Sequence, residues 1–360
     1  MRRRNIILLI VAGLLVSGGV AFGIVVVATW GSYSFSNSYY YDPGIPASWE
    51  KVSFTSDIGR INIRYNTTPT DYVVQLDLDI KISGGGVAGK NFSDFFKPIV
   101  WLNESVPVIT FQLENKAIAW FLIPVFYNIT IDVTLRTDVN YDVVGSSITG
   151  SINFNIPDNM VLNNTILSTT TGSVAINANE NVTFNGNMLA TTTTGSVAIY
   201  AEGVNFSHGI TTSSTTGSLT LNFTNCIIGD DMRGLVTTGS ITIRSYNMIY
   251  SQDCVWDFDT TTGGIKATIH QYVEMGANIT GSMVTTTGGV EVDYIDTLSS
   301  VGASFFGASS TGSYSRSSGG GFSATNFNPF YSLDYATANN TYTLSLTTTT
   351  GGIDVDGTSA

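Results

Sequence analysis

Two cysteines, Cys226 and Cys254, two histidines, His208 and His270, and three close acidic pairs are where this 360-residue chain could hold chemistry beyond packing. Two thiols permit a disulfide in an oxidising compartment. The histidines are too few and too far apart in sequence for a metal cluster or a catalytic triad. Asp230-Asp231, Asp257/Asp259 and Asp354/Asp356 suit calcium in ligand type, but no Gly-Gly-x-Gly-x-Asp repeat accompanies them, so they read as solvated acidic turns. Polysaccharide cleavage would need carboxylates gathered on one face, alone or with Arg or Lys. From Gly150 onward the basic residues are Arg233, Arg244, Lys266 and Arg316, spread along the chain. No phosphate loop or nucleophile elbow occurs. The expectation is a protein that is not an enzyme, with no catalytic, cofactor-binding or metal-ligating residue.

Asparagine offers a different chemistry. Asn-x-Ser/Thr sequons stand at Asn66, Asn91, Asn103, Asn128, Asn163, Asn181, Asn205, Asn222, Asn278 and Asn339, all candidates for N-glycosylation.

The elements that would carry these residues are announced by a repeat. Thr-Gly pairs place glycine at 150, 172, 195, 217, 239, 263, 288, 312 and 351, at intervals of 22, 23, 22, 22, 24, 25, 24 and 39. Thr280-Gly281 falls out of step and reads as an insertion. A period in the low twenties marks coils stacked on one another. The second residue after each glycine is apolar (Ile152, Val174, Val197, Leu219, Ile241, Ile265, Val290), and so, mostly, is the fourth. That alternation is a strand with one buried face. A second apolar point follows at Val182, Val204, Ile227, Ile249, Val273 and Leu298, and a third at Leu167, Leu189, Ile210, Val236, Phe258 and Val284. Three inward segments per period predict a coil with about three sides. Glycine permits its sharp corner, and Thr and Ser form hydroxyl ladders beside it. The register decays after Gly288: Arg316 falls at an inward position, and Ser313 to Phe330 reads as a disrupted rung or loop. Cys226 and Cys254 sit at offsets 9 and 15 from their rung glycines, so they pair only if a longer turn absorbs the mismatch.

Composition places the chain. It is 43% hydrophobic and only 12% charged, about half the usual charged share. After the first apolar run it carries 12 basic and 27 acidic residues, a balance that argues against nucleic-acid binding. The start reads Arg2-Arg3-Arg4, then 25 uncharged residues from Ile6 to Trp30, long enough to cross a bilayer. Arginines before the run put the N-terminus in the cytoplasm and the rest outside. A cleaved signal peptide is the competing reading, but its apolar core is normally shorter and ends in a small-x-small site. The organisation expected is a cytoplasmic N-terminus (1–5), a transmembrane signal anchor (6–30), a linker (31–48), a membrane-proximal β section (49–145) and β-solenoid repeats (146–360). Within the β section, "AIAWFLIPVFY" (Ala117 to Tyr127) breaks the alternation. It reads as a buried strand or turn, or as an exposed loop whose Trp120, Phe121, Phe126 and Tyr127 meet a bilayer interface or a partner.

The recurring Thr-Thr-Gly-Ser/Gly-Val/Ile-x-Val/Ile after an anchor resembles the putative-adhesin family of β-solenoid surface domains of bacteria and archaea. Where that family often has Ser-Gly-Asp-Ile, this chain has Thr-Gly-Ser-Val. The resemblance runs roughly from Trp49 to Ala360, is strongest from Ser146 to Tyr294, and implies a β-solenoid on the cell surface. It transfers no binding residues. The function expected is a single-pass, glycosylated surface protein, adhesin-like or part of the envelope, meeting a surface protein or glycan. The alternatives are a surface polysaccharide-acting β-helix enzyme and, more remotely, ice or mineral binding by threonine ladders.

Overall fold

The structure, a computed structural model, describes residues 30–44, 46–66, 72–103, 108–116, 125–323 and 328–359. The expected anchor up to residue 29, and Trp120 and Phe121, lie outside the described residues. Among the described residues the elements are strands apart from one four-residue helix, Phe92–Phe95, and no helix is long and apolar enough to cross a membrane.

Successive repeats pair in parallel, each strand with its equivalent one period on. Three walls result. The strands that follow the glycines form the first: Ile152–Ile156, Val174–Ala178, Val197–Glu202, Leu219–Thr224, Ile241–Tyr246, Ile265–Gln271 and Val290–Asp296 stand side by side in register. Two-residue strands such as Thr183–Phe184 and Asn205–Phe206 form the second. The strands ending in the threonine run, such as Met188–Thr194 and Ile210–Thr216, form the third. Alternation then dictates the core. Val174, Val197, Leu219 and Ile241 are fully buried, as are Ile176, Ile199, Leu221 and Ile243 two residues on.

The corners explain the Thr-Thr-Gly motif. Gly172 and Gly217 both have φ 145, a region that L side chains avoid. A Cβ on Gly172 would lie 2.1 Å from the Gly150 carbonyl oxygen, and one on Gly217 1.8 Å from that of Gly195. Each corner N–H donates to the next rung, as Gly172 N does to Thr194 O at 2.8 Å. The buried hydroxyl three residues before a glycine then donates to the carbonyl of the preceding rung's glycine. Thr192 reaches Gly172 (2.8 Å), Ser214 reaches Gly195 (2.9 Å), Thr260 reaches Gly239 (3.0 Å) and Thr285 reaches Gly263 (2.8 Å). The threonine run thus satisfies polar backbone that the corner would otherwise leave buried and unpaired.

Several expected inward positions miss the buried ones. Ile227 and Ile249 are exposed, whereas Cys226 and Ile228, and Met248 and Tyr250, on either side are buried; Val273 is exposed two residues before the buried Met275. For Ile227 and Ile249 the reason is a second corner: Asn159, Asn181, Gly203, Asn225 and Asn247 all hold positive φ between 53 and 63, and the chain turns inward directly after them. Leu189 and Val284 likewise face outward, because Met188, Ala190, Met283 and Thr285 take the inward sites. Thr280-Gly281 is no insertion. Gly281 sits in strand Ile279–Thr287 opposite Trp256, where a Cβ would come 1.9 Å from the Trp256 carbonyl oxygen.

Both ends depart from chain order in the same way. At the C-terminal end, strands Asn340–Thr350 and Ile353–Thr358 lie between the rung of Ile279–Asp296 and the rung of Val301–Gly320. Ser313 to Phe330 therefore contains the outermost first-wall strand, Tyr314–Gly320. Its half-buried Arg316 lies over the Phe330 ring at 5.2 Å, which accounts for a cation at an inward position. At the other end, Trp49–Ile58 lies between Val108–Leu113 and Asn140–Thr149, and Arg60–Asn66 lies between Val125–Arg136 and Ile152–Ile156. Two antiparallel strands, Val74–Gly85 and Trp30–Tyr41, extend the first wall further. The expected linker (31–48) is thus largely a twelve-residue strand, and Trp30, expected to end a membrane helix, begins it. Its Tyr33, Phe35 and Tyr39 turn inward onto Phe95, Phe92 and Trp101.

Candidate functional site

Whatever this molecule recognises must meet its outward columns, because the interior is filled by apolar ladders. On the first wall, stacking brings together residues far apart in sequence. One column runs Asn153, Ala175, Ala198, Thr220, Thr242, Lys266, Glu291, Asp354 and Ser315. Its neighbour runs Asn155, Asn177, Tyr200, Asn222, Arg244, Thr268, Asp293, Asp356 and Ser317. Small and amide side chains give way to charge toward the C-terminal end.

There Glu291 stands beside Asp354 and Asp293 beside Asp356, a block of four outward carboxylates that the sequence, read strand by strand, did not disclose. The first column also borders a shallow groove of about 530 Å³, floored by Gly264, Gly289 and Gly352. Each carboxylate has a neighbour. Lys266 Nζ donates to Glu291 (2.5 Å), the Ser315 and Ser317 hydroxyls donate to Asp354 and Asp356 (2.6 Å each), and His270 Nε2 lies 3.5 Å from Asp293. The matching acid–base partners were visible only once the register of neighbouring rungs was known.

Elsewhere in the repeats, Asp231, Asp253 and Asp257 accept from the backbone or from a hydroxyl one rung on. Asp231 Oδ1 accepts the Val255 N–H at 2.9 Å, and Asp253 accepts that of Asn278 at 2.9 Å, each one rung on. Asn278 continues the ladder by accepting the Thr341 N–H at 3.0 Å. Asp257 accepts the Ser282 hydroxyl at 3.0 Å. Burial, and then the neighbouring Asp257, raise the Asp259 carboxyl above its ordinary value. Among the described residues no three His, Cys, Asp or Glu side chains group as a metal site.

Cys226 and Cys254 are free and buried. Cys226 takes the inward place held by Val204 one rung earlier, while Cys254 opens a third-wall strand opposite Ile279. They belong to different walls. Burial pushes their thiols up to about 11 and about 12, which leaves them as small apolar core groups. His208 lies exposed in a turn, apart from His270, which packs edge-on to Tyr246 at 5.0 Å.

The sequons sort by what their amides do. Asn91, Asn128, Asn181 and Asn339 are exposed, and Asn66, Asn163, Asn205, Asn222 and Asn278 are half-buried. Asn181 donates to Asn159 and Asn278 to Asp253, both at 3.3 Å, so glycosylation there would break a ladder. Asn103 lies on an edge strand, Val100–Asn103. Of the aromatic segment, Phe126 is 60% exposed whereas Tyr127 is half-buried against the core.

Sequence reasoning missed the asparagine corner, although Asn159, Asn181, Gly203, Asn225 and Asn247 recur every 22 residues. Residues that tolerate positive φ at a fixed period were the available signal.

No protein-family model matches the chain, and no curated protein matches it. Among solved structures, it is similar to a putative cell adhesion protein from Clostridium sporogenes ATCC 15579, at 10% identity and a TM-score of 0.23, over 90% of this chain and 99% of that one. It is also similar to a putative adhesin from Bacteroides fragilis NCTC 9343, at 12% identity and a TM-score of 0.35, over 90% and 97%. At such scores these likenesses decide nothing about function, which is argued from the chain's own residues.

Proposed function

We propose that this chain is a β-solenoid displayed outside the cell, tethered by the apolar run before Trp30, and serving as an adhesin-like or envelope structural module. The observation that supports it most is the division between faces. Inward positions repeat the same few apolar and hydroxyl residues rung after rung, whereas outward columns vary from rung to rung. Such a body is a rigid scaffold, rising roughly 4.8 Å per rung, whose outer columns are free to be a recognition surface. The exposed sequons and the low charge agree with an exterior setting. The test is a glycan array and a surface-protein pull-down with the chain from Trp30 to Ala360. Saturable capture of a defined glycan or protein supports an adhesin; no capture, with protease-sensitive display on intact cells, leaves an envelope structural part. A tag before Arg2 should stay protected from that protease. Release of a soluble protein starting near Gly31 would replace the tether with a cleaved signal.

The carboxylate block favours a second reading, a polysaccharide-acting enzyme, because Glu291, Asp293, Asp354 and Asp356 are aligned across neighbouring rungs beside a groove. Against it, Glu291, Asp354 and Asp356 are exposed, and a general acid is usually held in an apolar, desolvated site. Hydrolysis of surface polysaccharide that is lost in both Glu291→Gln and Asp354→Asn would establish the enzyme.

A further inference from the structure

The outward face of the N-terminal antiparallel strands is polar along most of its length. Rows across it read Ser34, Lys81, Asn128, then Ser36, Asp79, Thr130, then Ser38, Asp77, Asp132. At the far end Tyr40 is occupied with Tyr72, at 4.4 Å between ring centroids. The near end differs. Trp30, 48% exposed, stands opposite Gly85, and Phe126, 60% exposed, stands opposite Ser83. Between these two rings the middle strand presents only Gly85 and the small Ser83.

That corner is also where the chain enters. Trp30 directly follows Ile6 to Thr29, 24 residues without a charge, and no spacer separates that run from the sheet. Resting on the tethered reading above, we infer that the Trp30–Phe126 corner is seated in the interfacial layer of the bilayer that holds the run, and so fixes how the stack stands on the cell. The length of the run puts residue 30 at headgroup level. If the strands rise from the membrane, Phe126 lies two strand spacings, about 10 Å, to the side of Trp30 and two residues, about 7 Å, further along, in the row of Ser32 and Ser83, within the depth of the headgroup layer. Tryptophan partitions to this layer, and phenylalanine adds apolar area to its lower side. The row of Ser34, Lys81 and Asn128, one step higher, begins the water-facing surface.

The test uses the full chain in phosphatidylcholine vesicles, with an environment-sensitive fluorophore on Ser83→Cys or, as control, on Asp77→Cys. The two sites lie on one strand about 20 Å apart, and the native thiols are buried. Flotation with the vesicles reports the tether. Quenching by spin-labelled lipid is expected at position 83 and absent at 77. Joint Trp30→Ser and Phe126→Ser substitution should abolish it while flotation and thermal unfolding stay unchanged. Flotation without quenching at 83, or quenching indifferent to both substitutions, would overturn the seating and leave the tether standing. A chain that fails to float would refute the tether and the seating together.

Discussion

The middle of the stack and its two ends use the same glycine corner but solve different problems. From Gly150 to Asp296 successive rungs stack in chain order, so order in the chain is order in space. At both ends the order is broken alike: the outermost rung is not the last in sequence, and a later or earlier segment is slotted inside it. An end rung has one unpaired edge and would fray if it were also a chain end. Holding it by connections on both sides removes that freedom. The two ends differ in what covers them. Trp30–Tyr41 closes the first wall with inward aromatics, whereas Tyr314–Gly320 closes it with exposed Ser and Gly. The middle therefore depends on repetition, and the ends on tertiary contacts that no repeat specifies.

The sharpest way to separate them is to place a charge at equivalent inward positions. Val197→Asp is expected to abolish cooperative folding, because the site is fully buried between Val174 and Leu219 and an unpaired carboxylate there costs about 3–5 kcal/mol. Ala198→Asp, one residue on and facing out, should fold normally. Tyr314→Asp, at the same rung position but half-buried at the end, should lose less than Val197→Asp. Thermal unfolding of the three variants checks the ranking, and equal melting would contradict the assigned faces.

Glycines give the next contrast. Gly217→Ala meets the Gly195 carbonyl at 1.8 Å and sits at φ 145, so both strain and collision act; a loss of about 4 kcal/mol is expected. Gly320 has φ 137 but open space around it, so Gly320→Ala should show the backbone term alone, about 1–2 kcal/mol. Chemical denaturation would measure both. Similar losses would mean that corner stacking contributes little to the middle.

This contrast also shows why the sequence disclosed one region and hid the other. Thr-Gly spacing and period-two alternation are local, and they gave the first wall correctly at Val174, Val197, Leu219 and Ile241. Leu189 and Val284 face outward because the period-two register buries the residues on either side of each, Met188 with Ala190 and Met283 with Thr285. Strand Trp30–Tyr41 alternates Ser with Tyr or Phe plainly enough, but its place beside an apolar run suggested a linker. Intercalation at the ends has no local signature, since it depends on which edge is free when a distant segment arrives. The carboxylate block was hidden for the same reason: Asp354 meets Glu291 only because the last rung is slotted beside it.

A pH measurement probes the middle on a smaller scale. Asp259 Oδ1 is buried without a hydrogen-bond partner among the described residues, and burial followed by Asp257 raises its pKa. The folded state thus holds this proton more tightly than the unfolded chain does. Its contribution is fully present below the ordinary carboxylate value of 3.8 and is lost as pH rises through the raised value. Asp259→Asn should therefore raise Tm at neutral pH, with the gain shrinking as pH falls through the raised value and gone below 3.8. A gain that does not change with pH would assign the effect to packing instead.

The smallest effect tests the hydroxyl column that the middle shares with its ends. Ser214, Val236 and Thr260 are register neighbours, and only Val236 brings no hydroxyl to the preceding glycine carbonyl, that of Gly217. Val236→Thr is nearly isosteric, and its hydroxyl would sit where Thr192, Ser214 and Thr260 each find an acceptor. A buried hydroxyl without a partner costs about 1–3 kcal/mol, whereas one that gains a bond contributes about 0.5–1.5 kcal/mol. The expected outcome is unchanged or slightly raised stability. Val197→Thr is the control: its neighbours Val174 and Leu219 are apolar, so the same substitution should cost the full desolvation penalty. The difference between the two variants in one unfolding experiment isolates the column, because side-chain volume and burial are matched. If both lose stability alike, the hydroxyls at this position follow β-compatibility alone, and the threonine run needs another explanation than satisfying the corner.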